Sequence, residues 1–202
     1  MQYPAFYNSV RTITLHDPLS ELLGASVGGL LEYGYLDAVK LAGHSCPTLA
    51  GAYLMTFKAL ATLYGDDIPE RGNIRVAFRD DQGNGVTGVT ANVVSQITGA
   101  AGDGGFKGLA GKFKRNGLLS FNAGIEGMIR FERIDEARTV EADYHPEEVP
   151  PDEDMFMLLQ GLLAQRAKTG DQDTFAELWQ GRVRRILIDH FDDPALVTIT
   201  QR

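Results

Sequence analysis

The hydrophobic positions that follow Pro47 repeat at the spacing of an α-helix. Five of them lie three or four residues apart and so share one face: Ala50, Tyr53, Phe57, Leu60 and Tyr64. Pro47 is favourable at the first helical position, and Gly65 is a typical helix stop. The pattern therefore predicts a helix over residues 47–64, with Cys46 as its N-cap.

Shorter patterns predict a mixture of strands and helix up to residue 144. Residues 30–41 are dense in aromatic and apolar side chains and are expected to form a strand. Residues 74–78 alternate apolar and basic side chains, as in a strand with one polar face, and residues 89–97 predict a helix. Six glycines in residues 99–111 predict a loop. Strands at 118–121 and 128–133 are expected to pair around a turn at 122–124, and 140–144 to add another.

The last third of the chain has a different pattern. Residues 145–154 are rich in proline and acidic side chains and predict a linker. Two apolar faces at helical spacing follow, over 155–163 and 175–187, and are expected to form a helical hairpin. Phe156, Phe175 and Trp179 are expected to be core or dimer contacts. The expected fold class is α+β with a mixed sheet, divided into a domain over 1–144 and a linker with hairpin over 145–202.

Charge and composition narrow the possible functions. The chain carries 19 basic and 27 acidic residues, for a net charge of −8, which disfavours nucleic acid and anionic membrane surfaces as partners. No apolar run approaches the roughly 18 residues of a membrane span, and residues 1–14 do not resemble a signal peptide. A single cysteine excludes an internal disulfide, and a cytoplasmic location is expected.

The motif Gly43-His44-Ser45-Cys46-Pro47 carries the most suggestive chemistry. In an extended chain, His44 and Cys46 point the same way, and the positive end of the predicted helix favours a thiolate. The pair predicts a site for zinc or another divalent transition metal, whose other ligands in this chain must be nitrogen or oxygen. His16 is the preferred third ligand, since it lies just before a helix start. The simpler alternative is that Cys46 is a small buried side chain and His44 its hydrogen-bonded neighbour.

Other side chains are weaker candidates for that third ligand. They are Asp80, Asp81, His145 and His190. His190 lies at the end of the last predicted helix, where the helix dipole already explains a histidine.

A second candidate site lies in the glycine-rich loop. Lys107 and Lys112 occur there among free backbone N–H groups, together with Lys114 and Arg115, and are expected to bind a small anion or an acidic cofactor. A solvated loop is the simpler alternative. The loop is not a P-loop, because Phe113 stands where Ser or Thr would bind magnesium. Residues 83–88 match GxGxxG, but the required acidic strand end about 20 residues later is missing, so a tight glycine turn is preferred.

The motif at 43–47, followed by a helix of small residues, resembles the signature of the E-subunit family of formylmethanofuran dehydrogenase. Residues 92–99, which end in Thr98-Gly99, are similar to the family's second helix, and Gly108, Gly111 and Lys112 are similar to the loop after it. The resemblance covers residues 30–133. It implies an α+β core of helix, strand, helix and three strands on a mixed sheet, similar to the catalytic-domain fold of glyceraldehyde-3-phosphate dehydrogenase.

The resemblance also implies a metal, often zinc, near the first motif, and a homodimer. The chain departs from the family at two places. Family members often have a second cysteine near the start of the second helix, where this chain has Val89, and many end in a zinc ribbon. His44 and Cys46 are therefore the only ligands that the motif carries over.

Two functions are expected from these features. The first is a metal-binding protein that binds or acts on a small one-carbon or redox metabolite through a metal at His44 and Cys46, with His16 or a carboxylate completing the shell. The second is a non-catalytic module that binds an anionic ligand and forms a homodimer through its C-terminal helices. A thiol enzyme with Cys46 as nucleophile and His44 as base ranks last, because side chains two residues apart rarely reach that geometry.

Overall fold

The computed structural model of the chain describes residues 2–202, in which helices pack on a five-stranded mixed sheet beside a small two-stranded sheet. The α-helices are α1 (Pro18–Leu22), α2 (Tyr35–Ala42), α3 (Pro47–Tyr64), α4 (Thr87–Thr98), α5 (Met155–Leu163) and α6 (Asp171–Arg184). The strands are β1 (Ile13–His16), β2 (Leu30–Tyr33), β3 (Ile74–Phe78), β4 (Leu119–Ser120), β5 (Ile129–Arg133), β6 (Arg138–Tyr144) and β7 (Val197–Gln201). None of the helices in residues 2–202 has the length and hydrophobicity that a membrane span requires.

The large sheet has the order β4-β3-β5-β6-β7, in which only β3 and β4 run parallel. From α3 to β6, the elements follow one another as helix, strand, helix and three strands. The predicted α+β class with a mixed sheet is therefore confirmed. The expected pairing of residues 118–121 with 128–133 is wrong, because β3 lies between β4 and β5 in the sheet. Eight residues separate Ser120 from Ile129, so no tight turn forces the two strands to pair.

Helix α3 is the centre of the core. It contacts α2 and α4 on one side and β6 and β7 on the other, which explains why it is buried almost all around. Of the five residues expected on its apolar face, four are buried and Phe57 is partly buried. The predicted helix is confirmed, and its first residues, from Cys46 to Thr48, are partly buried.

The predicted strand over residues 30–41 is wrong in its second half. Only Leu30–Tyr33 is a strand, and Tyr35–Ala42 is helix α2. The Asp37 carboxylate accepts a hydrogen bond from the Gly34 N–H at 2.9 Å, which stabilises the start of this helix. Gly43 ends it in the left-handed region with φ of 75°. These two signals outweigh the local density of apolar side chains.

The C-terminal helices pack against each other as the expected hairpin, and a strand follows them that the pattern did not predict. Strand β7 pairs antiparallel with β6 and forms one edge of the large sheet. Residues 145–202 therefore share a sheet with the region before residue 145.

Helix α5 ends in a Schellman motif with an unfavourable residue at its left-handed position. The Gln165 and Arg166 N–H groups donate to the carbonyls of Leu162 and Gly161, at 3.1 and 2.9 Å, and Gln165 has a φ of 55°. Gln165→Gly is expected to raise the free energy of unfolding by about 1 kcal/mol, because glycine adopts this conformation without steric strain. The melting temperature should rise by about 2–4 °C in calorimetry.

The matched control for this change is Glu177→Gly in the exposed interior of α6, which should lower stability by about 1 kcal/mol. A lower melting temperature for Gln165→Gly would contradict the assignment of strain to this position.

Candidate functional site

A cavity of about 490 Å³ opens where the N-terminus of α3 meets the end of β6 and one side of α6. Its lining is mainly apolar. The lining residues are Cys46, Pro47, Thr48, Met55, Val86, Thr90, Met128, Tyr144, Pro146, Trp179 and Arg182. This size and lining are typical of a site for a small molecule with a few directing polar groups.

Two aromatic side chains are fixed around the first turn of α3. The Trp179 indole Nε1–H donates to the carbonyl of Ser45 at 2.8 Å, and the Tyr144 hydroxyl donates to the carbonyl of Pro47 at 3.0 Å. Gly51 lets the Tyr144 ring approach the helix, since a Cβ at residue 51 would overlap the ring. These contacts hold the aromatic walls of the cavity in one geometry.

Among the residues that the structure describes, Arg182 is the one cation that lines this cavity. Its Nε and Nη2 groups donate to the carbonyls of Val149 and Pro146, at 2.7 and 2.9 Å, and no acidic side chain within residues 2–202 pairs with it. Burial lowers the pKa of Arg182, and the nearby Tyr144 hydroxyl acts in the opposite direction. An arginine stays protonated in such surroundings, so the cavity contains a positive charge without a counter-charge.

Further polar groups at the cavity are available to a ligand. The Cys46 side chain makes no capping hydrogen bond to α3, so the first-turn amides of this 18-residue helix lack a side-chain partner. Within the described part of the chain, the hydroxyls of Thr48 and Thr90 also make no hydrogen bond. The helix dipole and Arg182 both place positive potential here, which favours an anionic group.

Burial raises the pKa of the Tyr144 hydroxyl, and the charge of Arg182 opposes this shift. Tyr144 therefore remains a neutral hydrogen-bond donor at physiological pH. It supplies an apolar ring and a fixed hydroxyl, and no charge that would compensate Arg182.

The structure places the three predicted metal ligands apart. Cys46 lines the large cavity, whereas His44 lines a smaller one beside α4, and its Nδ1 lies 3.1 Å from the carbonyl of Ala42. His16 pairs through Nε2 with Glu21 at 2.9 Å. No group of three or more His, Cys, Asp or Glu side chains in residues 2–202 is arranged to share a metal ion. These residues do not fit a metal site as they stand, and ligation by His44, Cys46 and His16 stays a prediction.

The glycine-rich loop forms part of a second, basic cavity of about 460 Å³. Lys112 lines it together with Lys114, Arg71 and Arg115, whereas Lys107 does not. The two arginines are already engaged, since Arg71 and Arg115 donate to the two oxygens of buried Asp17 at 2.9 and 2.8 Å. The cations left for an anion are the two exposed lysines, so binding by Lys107 and Lys112 also stays a prediction.

The residues that define the large cavity do not stand out in the sequence. Arg182 and Trp179 lie on a helix whose pattern predicts only half of a hairpin, with Trp179 in the core or at a dimer contact. One signal is present in the sequence, because Trp179 is the single tryptophan and Arg182 lies three residues later, on the same helix face. The approach of this face to Cys46 depends on tertiary packing that no local pattern reports.

No protein-family model and no curated protein matches this chain. The family resemblance of residues 30–133 therefore rests on the motifs alone.

Proposed function

We propose that this protein binds a small amphipathic anion in the cavity at the N-terminus of α3. The anionic group, a carboxylate, pairs with Arg182 and the first turn of α3, and the apolar body lies against Trp179 and its neighbours. One observation carries this proposal: a half-buried arginine without an acidic partner lines a mainly apolar cavity.

The electrostatics favour a carboxylate over a neutral head group. A charge held away from water is unfavourable unless it is paired, and the partners of Arg182 within residues 2–202 are all carbonyls. A hydrogen bond between charged groups contributes about 1.5–3 kcal/mol, and the α3 N-terminus adds about 0.3–1 kcal/mol. The cavity therefore gains more from an anion than from an alcohol of the same length.

The rest of the lining favours an unbranched apolar body. Met55 and Met128 have flexible, polarisable side chains that adapt to irregular ligands, and Trp179 offers a flat face. Octanoate has this combination of features and is a suitable probe, with octanol as its neutral counterpart of equal length.

Arg182→Gln is expected to weaken octanoate binding about tenfold or more while leaving octanol binding unchanged, because only the charged contact is removed. Trp179 is the single tryptophan and lines the cavity, so its fluorescence reports occupancy directly. Unchanged octanol binding would also show that the variant keeps its cavity.

The matched control is Lys112→Gln, which removes a positive charge from the basic cavity and should leave octanoate affinity unchanged. The proposal fails if octanoate produces no saturable change in Trp179 fluorescence. It also fails if wild type and Arg182→Gln bind octanoate equally well.

Metal-dependent chemistry at Cys46 is the alternative that the sequence favours. Its support is a thiol that lines the cavity and makes no capping bond. Because no His, Asp or Glu among residues 2–202 lines the same cavity, such a metal would need donors from a bound molecule. Metal analysis of tag-free protein tests this alternative, and equal metal content in wild type and a His44→Ala, Cys46→Ala variant would exclude it.

A further inference from the structure

Helix α5 has two apolar faces, and one of them is exposed to solvent. Its inner face holds Met155, which is buried, and Leu158, Leu159 and Leu162, which are partly buried. Its outer face holds Phe156, Met157 and Leu163, which are 69%, 66% and 76% exposed. Three large apolar side chains this exposed on one nine-residue helix form a patch of the kind that marks an interaction site.

The exposed positions of α5 follow helical spacing and so form one continuous surface. They are Phe156, Met157, Gln160, Leu163 and Ala164. Gln160 is the one polar side chain among them and lies midway between Met157 and Leu163. We call these five residues the outer α5 face.

Opposite charges flank the outer α5 face at its two ends. Glu153 and Asp154 come just before the helix, and Arg166 and Lys168 come just after it. None of these four side chains forms an ion pair within the part of the chain that the structure describes. The surface is therefore acidic at one end and apolar in the middle, and its other end carries two cations against one carboxylate, that of Asp171, which accepts from the Lys168 N–H at 2.7 Å.

We propose that two copies of this chain pair through the outer α5 face as antiparallel helices, related by a twofold axis at Gln160. This axis sets Met157 opposite Leu163 of the second copy and Phe156 opposite its Ala164. It also sets Asp154 opposite Arg166 of the second copy. The two Gln160 amides meet at the axis, where they can hydrogen-bond to each other and fix the register.

The charge pattern selects a second copy in this orientation over other occupants. An antiparallel pair brings each acidic end next to a basic end, whereas a parallel pair would place like charges together. A net charge of −8 disfavours an anionic membrane surface. The nine residues of α5 span about 14 Å, so the contact is smaller than a standard interface and the dimer is expected to dissociate at low concentration.

Sedimentation velocity tests this proposal, with the full chain measured from micromolar to submillimolar concentration. Wild type is expected to show a concentration-dependent monomer–dimer equilibrium. Met157→Asp should weaken dimerisation by at least about tenfold, because it places a carboxylate in the apolar centre. Ala176→Asp adds the same group to the exposed side of α6 and should leave the equilibrium unchanged.

Charge-reversal variants distinguish specific pairing of two copies from nonspecific association through the apolar side chains. One variant carries Glu153→Lys with Asp154→Lys, and another carries Arg166→Glu with Lys168→Glu. Each alone should dimerise more weakly than wild type, and the two mixed should pair with each other. Their combination in one chain should restore the homodimer.

Three results would overturn the proposal, provided that circular dichroism shows each variant folded. They are a wild-type chain that stays monomeric at every concentration, a dimer that Met157→Asp leaves intact, and charge-reversed variants that fail to pair when mixed. Flotation of a monomeric wild type with neutral phosphatidylcholine vesicles, abolished by Met157→Asp, would also overturn it by assigning the face to a lipid surface. Trp179 fluorescence reports on the cavity, and sedimentation reports on self-association. Either proposal can therefore fail without the other.

Discussion

Asp17→Asn is expected to lower the free energy of unfolding by about 3–5 kcal/mol, because it leaves two arginines without their shared counter-charge. The side chain of Asp17 is 5% exposed and that of its partner Arg115 is 9% exposed, so water cannot replace the lost pairing. The change to Asn removes the negative charge but keeps the helix cap. The Asn side-chain oxygen can still accept from the Leu19 and Ser20 N–H groups that Asp17 caps.

Three separate segments depend on this ion-pair cluster. Asp17 is the N-cap of α1, Arg71 precedes β3 and also donates to the carbonyls of Gln96 and Ile97 at the end of α4, and Arg115 lies between α4 and β4, just after the glycine-rich loop. Arg115 in turn donates to the carbonyl of Arg71. Loss of the carboxylate charge should therefore loosen the loop together with the first helix.

Denaturant unfolding of wild type and Asp17→Asn measures the predicted loss. Asp192→Asn is the matched control, because Asp192 pairs with Arg11 at 2.6 Å but both side chains are largely exposed. That control should change stability by no more than about 1 kcal/mol. Equal stability of wild type and Asp17→Asn would mean that the cluster does not stabilise the fold.

The second large effect is a loss of stability in acid that depends on Glu141. Its side chain is 1% exposed and accepts hydrogen bonds from the Gly127 N–H at 2.9 Å, from Arg130 at 2.6 Å and from Arg202 at 3.1 Å. Burial alone would raise the pKa of Glu141, but these hydrogen bonds outweigh it and lower the pKa to about 2 from 4.5. The folded protein therefore releases this proton more readily than the unfolded chain.

The sign of the pH effect follows from that difference. The stabilisation by Glu141 is fully present above pH 4.5, declines as the pH falls below that value, and is lost as the pH passes about 2. It amounts to about 3 kcal/mol at neutral pH. Glu141→Gln is expected to remove this part of the acid sensitivity, so the stability difference between wild type and variant should shrink as the pH falls.

Unfolding by urea at several pH values between 2 and 7 measures this difference. The matched control is Glu132→Gln on neighbouring β5, since Glu132 pairs with Arg75 and both side chains are partly exposed. A stability difference between wild type and Glu141→Gln that stays constant across this pH range would contradict the account.

Much of the fold could be predicted from the sequence where periodicity and end signals agree. Helix α3 combines a long apolar repeat with Pro47 and Gly65 at its ends, and the structure has it with the same bounds. The prediction for residues 30–41 is wrong in part because a short apolar run suits a strand and a buried helix equally well. Two local signals decide for the helix: the Asp37 carboxylate, which accepts one hydrogen bond from the Gly34 N–H, and Gly43 at the helix end. Strand β7 exists because β6 offers it a partner, which no local pattern contains.

The candidate site was predictable only in part. The sequence pointed to Cys46 and to the start of α3, and the structure has a cavity there. The ligand set that spacing suggested does not converge, because His44 faces a different cavity from Cys46. Arg182 became a candidate only when the structure brought α6, more than 100 residues away in sequence, against the first turn of α3.

A crystal structure of the protein with octanoate is the most direct test of the proposed binding site. The account predicts the carboxylate within hydrogen-bond distance of Arg182 and of the first-turn amides of α3, with the chain lying along Trp179. Octanoate bound instead beside Lys112 in the basic cavity, or on the outer α5 face, with the cavity at Arg182 free of it, would contradict the account.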